Sequence, residues 1–279
     1  MSKSKSITKK AKKWEVFENN CFEYLIDNYS DCNFEKEGQS NSQCSDIKVL
    51  VDKKDNFNIE AKMQSSQTSQ FTLNIENEKF KYSELNKNEN NEYSKKIIRY
   101  LNANYDTYKN INQKSIQVDL SIDLYKKWIL SHYETSNIKF IITGNKDNKI
   151  ILPIENIDKY FEIKCFIRRK KSGSRNLPKS NYQLISDYIE KNIDNNFNIF
   201  NIDKNFYIEF NNQIKNDIKF EINDDTYMIS PLENKNICNI RKLGKTNNPT
   251  VIFSLKLKNK IQNKEDLDTF LNCIKKDDK

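Results

Sequence analysis

The stretch "SDIKVLVDKKDNFNIEAK", residues 45–62, decides how this chain is interpreted. It holds two apolar runs separated by a polar turn at residues 52–56, and it carries Asp46 before the first run and Glu60 and Lys62 at the end of the second. Antiparallel pairing across the turn gathers every apolar side chain on one face, and a one-residue slip would move them all to the other face. The sequence therefore predicts a β-hairpin whose register is set by burial. The predicted pairs are Val51 with Phe57, Val49 with Ile59, and Ile47 with Ala61.

The polar face of this hairpin predicts a metal site. The register places Asp46 opposite Lys62 and Lys48 opposite Glu60, so Asp46 and Glu60 become diagonal neighbours with Cβ atoms about 7 Å apart. Two carboxylates at that separation can converge on one divalent cation, and hard oxygen ligands favour Mg²⁺. Lys62, on the same face, can orient an attacking water or neutralise charge developing on a phosphate.

Ordinary surface charge on a hairpin is the alternative interpretation. The Glu-x-Lys pattern occurs three times, at Glu60–Lys62, Glu162–Lys164 and Glu233–Lys235. Only the first has an aspartate at the head of a matched apolar strand and a helix before it. The hairpin context, and not the tripeptide, therefore favours a functional site.

Hydrophobic spacing outside the hairpin predicts a mixed α/β core. "WEVFENNCFEYLIDNY" (residues 14–29) has helical spacing, and "CNFEKEG" is a short strand before the hairpin. The segments "EYSKKIIRYLNANYDTY" and "SIDLYKKWILSHY" are predicted helices, and "IKFIITG" is a predicted strand. The resulting order is helix, three strands, helices and strand.

The second half is rich in predicted strands. "YFEIKCFIRR", "NFYIEF", "DIKFEINDDTYMIS" and "NPTVIFSLKLK" alternate as strands do, and helices are predicted in "NYQLISDYIEK" and "KEDLDTFLNCI". We expect a basic flexible tail (1–13), a catalytic core (14–145) and a β-rich DNA-recognition region (146–279), or one continuous domain in place of the last two.

Composition narrows the function classes. The chain has 279 residues, a formal net charge of +8 and a pI near 8.9, which suit a polyanionic partner. Six scattered cysteines and one histidine, His132, disfavour a zinc site and a Ser-His or Cys-His pair, and we assign His132 no catalytic role. No apolar run reaches membrane-spanning length, so we expect a reduced cytoplasmic protein.

The motifs in "FENNCFEYL…SDIKVLV…FNIEAK" resemble the PD-(D/E)xK nuclease superfamily over the first half of the chain. The resemblance implies a restriction-endonuclease-like α-β-β-β-α-β core with a mixed sheet flanked by helices. It implies Asp46 and Glu60 as metal ligands and Lys62 as the catalytic lysine. A glutamate of the first helix often completes such sites; Glu18 is our choice and Glu15 the runner-up. The proline that commonly precedes the aspartate is serine here.

Within that superfamily the expected protein is a Mg²⁺-dependent type II restriction endonuclease that cleaves double-stranded DNA. Such enzymes usually act as homodimers, and a DNA methyltransferase encoded nearby is the expected functional partner. The alternative enzymatic hypothesis is a structure-selective nuclease, such as a junction resolvase or repair enzyme. The alternative non-enzymatic hypothesis is a catalytically inactive DNA-binding protein of the same fold.

Three polar or basic segments are candidates for DNA contact. Amides in "MQSSQTSQFTL" can read adenine edges or grip the backbone, although the segment can equally be a polar loop. The segments "CFIRRKKSGSRNLPKSN" and "ICNIRKLGKTNNPTVIF" combine strand ends, arginines and a glycine, or are merely solvated loops. The predicted DNA-binding residues are Gln64, Gln67, Gln70, Arg168, Arg169, Lys170, Lys171, Ser172, Ser174, Arg175, Arg241, Lys242, Lys245 and Asn247.

Overall fold

The computed structural model describes residues 12–37, 45–51, 56–86, 88–111, 115–146, 148–171, 173–202, 205–232, 236–245 and 247–275. Within these ranges the chain forms a mixed α/β structure with seven α-helices and three sheets. Two compact units divide the described chain: a larger unit of residues 12–169 and 249–279, and a smaller unit of residues 170–248 inserted between them in the sequence.

The helices and strands have the following bounds. The helices are α1 (Lys13–Asn28), α2 (Glu92–Ala103), α3 (Tyr105–Tyr108), α4 (Ile122–Glu134), α5 (Ile157–Tyr160), α6 (Tyr182–Asn192) and α7 (Lys264–Ile274). The first eight strands are β1 (Asn33–Lys36), β2 (Ile47–Leu50), β3 (Phe57–Ala61), β4 (Ser65–Glu76), β5 (Lys79–Tyr82), β6 (Ile116–Gln117), β7 (Ile138–Gly144) and β8 (Lys149–Pro153). The remaining strands are β9 (Phe161–Lys171), β10 (Arg175–Asn176), β11 (Phe197–Ile202), β12 (Asn205–Phe210), β13 (Ile218–Ile222), β14 (Asp225–Pro231), β15 (Ile237–Lys242) and β16 (Asn247–Leu257).

The first sheet of the larger unit, sheet I, carries the predicted hairpin. Its strand order is β1-β2-β3-β7-β8, with β3 and β7 parallel and the other pairs antiparallel. The buried side chains of β3 all enter one core, whereas those of β7 are divided between two cores because both faces of that strand are covered. Ile59 and Ile142 pack toward α1 and α7, whereas Ile138 and Ile141 face a core shared with α2, α4 and the second sheet.

The second sheet of the larger unit, sheet II, has the order β5-β4-β16-β9-β6. Its central pair joins β4, from the first third of the chain, to β16, from the last third. Phe71, Trp128 and Phe253 meet where this sheet packs on α4, with the Trp128 and Phe253 ring centroids 4.3 Å apart. Burial of these large aromatic faces holds α4 against sheet II.

The smaller unit consists of one antiparallel sheet and a helix. The sheet order is β11-β12-β15-β14-β13, and β10 pairs with β15. Ile185 and Ile189 of α6 are fully buried in the core of this unit. Asn223 and Asp224 both have positive φ, of 48° and 61°, and form the two-residue turn between β13 and β14.

Most of the predicted helices and strands form, and two predicted segments differ from their prediction. The structure also contains strands that were not predicted, among them β8 and β11. The segment "DIKFEINDDTYMIS", predicted as one strand, is the β13–β14 hairpin, because its Asn-Asp pair accepts the positive φ that such a turn requires. The segment "MQSSQTSQFTL" belongs largely to the long strand β4 and not to a polar loop, because β16 supplies a pairing partner far away in sequence.

The compact units also cut the chain differently from the expected boundary at residue 146. Strand β8 and residues 249–279 belong to the same unit as the predicted catalytic core. All but two residues of the predicted basic tail lie outside the described residues. Among the helices that the structure describes, none is long and apolar enough to cross a membrane.

Candidate active site

The β2–β3 hairpin forms, but in a register two residues away from the predicted one. Ile47 pairs with Ile59 and Val49 with Phe57. The backbone N–H of Val51 donates to the Asn56 side chain (3.2 Å) in place of a strand partner, so the connection between the strands is longer than predicted. A shift of two residues preserves the buried face.

The corrected register brings the two acids closer than predicted. When the observed pairing is extended by one residue, Asp46 lies directly opposite Glu60, and not diagonal to it. Because Glu60 and Lys62 alternate with Ile59 and Ala61 on β3 and its end, they project to the opposite face from the α1–α7 core. Asp46, Glu60 and Lys62 thus converge at one end of sheet I.

Asp46 is held in place by the backbone of the neighbouring strand. Its Oδ2 accepts a hydrogen bond from the Ala61 N–H at 2.8 Å. The pKa of the Asp46 carboxyl is raised to about 8: burial is the largest cause and the charges of Glu60 and Glu18 add to it, whereas Lys62 and the Ala61 N–H act in the opposite direction. A carboxyl whose charged form is disfavoured by its surroundings is typical of a functional site.

Lys62 is a buried cation paired with Glu60. Its side chain is 11% exposed, its Nζ forms an ion pair and hydrogen bond with Glu60 Oε1, and its backbone N–H donates to Ile142 O at 2.9 Å. Burial alone lowers the pKa of the Lys62 ammonium, but Glu60, Tyr133 and Asp46 together raise it above its ordinary value. Lys62 therefore carries its positive charge throughout the neutral pH range.

The second Glu-x-Lys pair shows how different an exposed example is. Glu162 and Lys164 on β9 form an ion pair of 3.0 Å, but both side chains are 43% exposed. Glu60 and Lys62 are 14% and 11% exposed. Of these two pairs, the hairpin pair is the one removed from solvent, and electrostatic interactions are stronger away from water. Glu233 and Lys235 of the third pair lie outside the described residues.

Glu18 of α1 reaches the same cluster. Burial, together with the charge of Glu60, raises the pKa of its carboxyl, whereas Lys36, Lys62 and a hydrogen-bonding interaction with Asp46 lower it. Glu15, the runner-up, instead accepts a hydrogen bond from the Lys12 N–H at 2.7 Å and caps the start of α1. The geometry therefore favours Glu18 as the helix residue of the site.

The acidic groups have the donor chemistry of a magnesium site. Among the residues that the structure describes, no three His, Cys, Asp or Glu side chains form a preformed metal-binding group. Asp46, Glu60 and Glu18 nevertheless interact through their charges: the pKa values of Asp46 and Glu18 are raised first by burial and then by repulsion from the neighbouring acids. Carboxylate oxygens are hard ligands, and a divalent cation would relieve the repulsion, so these residues fit Mg²⁺.

Tyr133 of α4 lies beside this cluster and was not predicted as a site residue. Its side chain is 2% exposed, and its hydroxyl is hydrogen-bonded to Thr68 Oγ1 on β4. Burial raises its pKa to about 12, with Lys62 acting against that rise and Glu60 adding to it. Its helical spacing predicted only a core position, because the contact with Thr68 arises from the packing of α4 on β4.

His132, to which we assigned no catalytic role, lies near the same charges. Its Nδ1 is 2.6 Å from Asn88 Nδ2, and its ring stacks on Trp128 with centroids 5.3 Å apart. Burial lowers its pKa, Glu60 raises it and Lys62 lowers it. These contacts explain its position through packing and one hydrogen bond.

The glutamine-rich segment lies on β4, directly after the site. Gln67 Nε2 donates to Gln70 Oε1 at 2.7 Å, and the backbone carbonyl of Gln64 accepts from the Leu257 N–H at 2.7 Å. The hydroxyls of Ser66 and Ser69 are buried and, within the described chain, have no hydrogen-bond partner. Gln67 is exposed and available to a ligand.

The structure pairs the two predicted basic segments with each other. Arg175 and Asn176 of β10 lie opposite Lys242 and Arg241 of β15 in the smaller unit. Arg241 donates to Ser174 O at 3.1 Å, so its guanidinium also braces the β10 segment.

Other predicted DNA-binding residues are more dispersed. Asp225 forms ion pairs with Lys242 and with Lys245, the latter at 3.2 Å, and so partly neutralises this cluster. Arg168 and Arg169 lie on β9 in the larger unit, Lys170 begins the smaller unit, and Asn247 starts β16. Ser172 and the side chain of Lys171 lie outside the described structure.

Comparison with known proteins identifies a similar DNA-bound enzyme. No protein-family model and no curated protein sequence matches the chain. A solved structure of the HhaI endonuclease in complex with DNA matches with a TM-score of 0.83 and 33% sequence identity, covering 94% of this chain and 99% of that one. The likeness therefore extends over both compact units and not over the hairpin alone.

Proposed function

Because this chain belongs to the family of the HhaI endonuclease, we propose that it is a type II restriction endonuclease that hydrolyses double-stranded DNA at specific sites. The observation that carries the proposal is the cluster of Asp46, Glu60, Lys62 and Glu18 at one end of sheet I. The similar protein was solved with DNA, which supports DNA as the substrate.

We further propose that sheet I is a PD-(D/E)xK core. Helix α1, strands β1, β2 and β3, helix α4 and strand β7 follow the α-β-β-β-α-β order if the segment from β4 to β6 is taken as an insertion. The parallel pairing of β3 with β7 supports this reading, because such a pair needs a crossover connection, here containing α4.

In the proposed mechanism, Asp46 and Glu60 would hold Mg²⁺, and Glu18 would complete its surroundings through Asp46. When bound there, Mg²⁺ would stabilise charge on the phosphate and lower the pKa of a water ligand. The Ala61 N–H fixes the orientation of Asp46, which keeps the site organised before DNA arrives.

Lys62 acts as a fixed cation in this scheme. Because its pKa is raised, it is not a free amine that could accept a proton from water at neutral pH. Its ammonium instead orients the attacking water or neutralises the negative charge that grows on the phosphate.

DNA recognition is assigned to the residues predicted from the sequence. Gln64, Gln67 and Gln70 follow the catalytic strand directly, and amides at such a position can contact base edges or backbone. The paired β10–β15 segment supplies Arg175 and Lys242 for phosphate contact. The homodimer and the partner methyltransferase stay predictions.

The test is incubation of the purified protein with supercoiled plasmid DNA, with Mg²⁺ or with EDTA. We expect discrete linear fragments in Mg²⁺ only. Cleavage confined to branched DNA would favour a structure-selective nuclease, and a gel shift without cleavage would favour an inactive DNA-binding protein. Either of these outcomes contradicts the proposal.

A further inference from the structure

Strand β4 contains a β-bulge at Thr68, next to the proposed catalytic site. Ser69 pairs with Phe253 of β16 and Gln67 with Ser254, so the pairing shifts there and Thr68 is the extra residue within the described register. In a regular strand, residues three apart face opposite sides of the sheet. The bulge changes that alternation, and Gln67 and Gln70 are hydrogen-bonded to each other.

The bulged residue is itself attached to the helix beside the catalytic lysine. The hydroxyl of Thr68 is hydrogen-bonded to that of Tyr133, which is buried on α4. The Tyr133 phenol is close enough to Lys62 and Glu60 for their charges to act on it. One hydroxyl pair therefore connects the glutamine-bearing strand to the surroundings of the site.

The backbone provides a second, short connection between the same two places. The Lys62 N–H is bonded to Ile142 O of sheet I, whereas the Gln64 carbonyl accepts from Leu257, at the end of β16 in sheet II. Only Met63 separates the two residues. A displacement of the start of β4 is consequently transmitted to Lys62 within two residues.

We propose that the Thr68–Tyr133 hydroxyl pair is a positioning element that couples DNA contact at Gln67 and Gln70 to the placement of Lys62. The inference rests on the proposed endonuclease function and names a regulatory joint within that site. Without the pair, the bulge can relax, and DNA bound at the glutamines no longer fixes the lysine. Because a shift of about 1 Å in a catalytic group can cost about 100-fold in rate, such a joint can govern the chemical step.

The experiment compares single-turnover cleavage, at saturating plasmid DNA, by the wild type and by Tyr133→Phe, Thr68→Val and Thr68→Ser. We expect Tyr133→Phe and Thr68→Val each to lower the rate about tenfold while DNA affinity changes less than about twofold, with Thr68→Ser close to wild type. The Tyr133→Phe/Thr68→Val double variant should be no slower than either single variant, because both remove the same hydrogen bond.

Tyr125→Phe is the matched control on the same helix. The Tyr125 hydroxyl is buried and bonded to the backbone, accepting from the Leu120 N–H at 2.8 Å and donating to Val118 O. Its loss should lower thermal stability by an amount comparable to that in Tyr133→Phe, yet leave the single-turnover rate unchanged. If Tyr133 had only a structural role, Tyr133→Phe and Tyr125→Phe would both lose thermal stability and both keep the wild-type single-turnover rate.

The outcomes separate this inference from the function on which it rests. If the wild type cleaves DNA and Asp46→Asn does not, but Tyr133→Phe cleaves at the wild-type rate, the coupling is refuted and the nuclease stands. Multiplying losses in the double variant would also refute it, since they indicate two independent effects. A wild type that cleaves no DNA overturns both.

Discussion

Asp46 illustrates how a single residue can be suited to chemistry at a cost to stability. Its carboxyl is poorly solvated and lies beside two other acids. Because these surroundings disfavour the charged form, the pKa is raised to about 8. Proteins tolerate such residues where function requires them. Removing the charge should therefore stabilise the metal-free fold.

The pH dependence of this effect follows from the direction of the shift. The pKa of Asp46 is raised from its ordinary value of 3.8, so the folded chain holds the proton more tightly than the unfolded chain. This stabilisation of the folded state is fully present below the pKa of the unfolded chain, 3.8, and is lost as pH rises through the folded pKa of about 8. Asp46→Asn does not ionise and should not suffer this loss.

We predict that, in metal-free buffer, the melting temperature of Asp46→Asn exceeds that of the wild type by roughly 2–4 °C at pH 8.5, equivalent to about 1 kcal/mol, and by much less at pH 5. Asp268→Asn, on an exposed position of α7, is the control and should follow the wild type at both pH values. A difference for Asp46→Asn that is equal at pH 5 and pH 8.5 would refute the assigned environment. Calorimetric melting measures it.

Sequence reasoning at the residue scale anticipated which side chains lie together where the contacts are local, whereas the roles of these residues stay predictions. Asp46, Glu60 and Lys62 were predicted from one hairpin, and the structure brings them together with Glu18. Tyr133 could not be found in the same way, because its partner Thr68 lies 65 residues away and they meet only through packing of α4 on β4.

At the scale of elements, the β2–β3 hairpin shows that apolar alternation determines the buried face of a strand but not its register. The apolar alternation of β2 and β3 correctly predicted their buried face, but a two-residue shift leaves that face unchanged, so burial alone could not distinguish the two registers. In the observed register, the Asn56 side chain accepts a hydrogen bond from the Val51 N–H, a contact that the apolar pattern does not encode.

The β7–β8 hairpin requires a glycine at position 144. Gly144 has φ +120°, a conformation that side chains rarely adopt, and an added Cβ would lie 2.1 Å from the backbone oxygen of Asn148. This glycine ends β7, the strand that binds the Lys62 backbone. Strain here should therefore affect both the fold and the neighbouring site.

We predict that Gly144→Ala lowers the free energy of unfolding by at least about 2 kcal/mol, measured by urea denaturation. Gly173→Ala is the matched control, because no atom lies within 4 Å of its added Cβ. It should fold as the wild type does, and any change should be confined to DNA affinity. Equal stability of the two alanine variants would contradict the backbone geometry assigned to Gly144.

At the scale of the whole molecule, the sequence predicted the mixed α/β class but not the assembly of its sheets. Sheet II pairs β4 with β16, and β16 returns to the larger unit after the inserted smaller unit. Such a pairing leaves no local signal in the chain, since each strand alternates equally well beside any partner. The expected boundary at residue 146 followed the change from predicted helices to predicted strands, whereas the compact units follow these long-range pairs.

In the proposed function, different residues serve DNA binding and DNA cleavage: the acids of the site serve the chemistry, whereas the glutamines of β4 and the basic β10–β15 segment serve DNA binding. Loss of an acid should therefore remove turnover without removing the complex. An exposed Glu-x-Lys pair on β9, Glu162–Lys164, offers a control with the same spacing and its own ion pair.

The most direct measurement is the single-turnover cleavage rate of saturated plasmid DNA in Mg²⁺, with the dissociation constant for DNA measured on the same preparations. We predict that Asp46→Ala and Glu60→Gln each lower the rate at least about 1,000-fold and leave DNA affinity within about fivefold of the wild type, whereas Glu162→Gln matches the wild type in both. Cleavage by Asp46→Ala or Glu60→Gln at the wild-type rate would contradict the account.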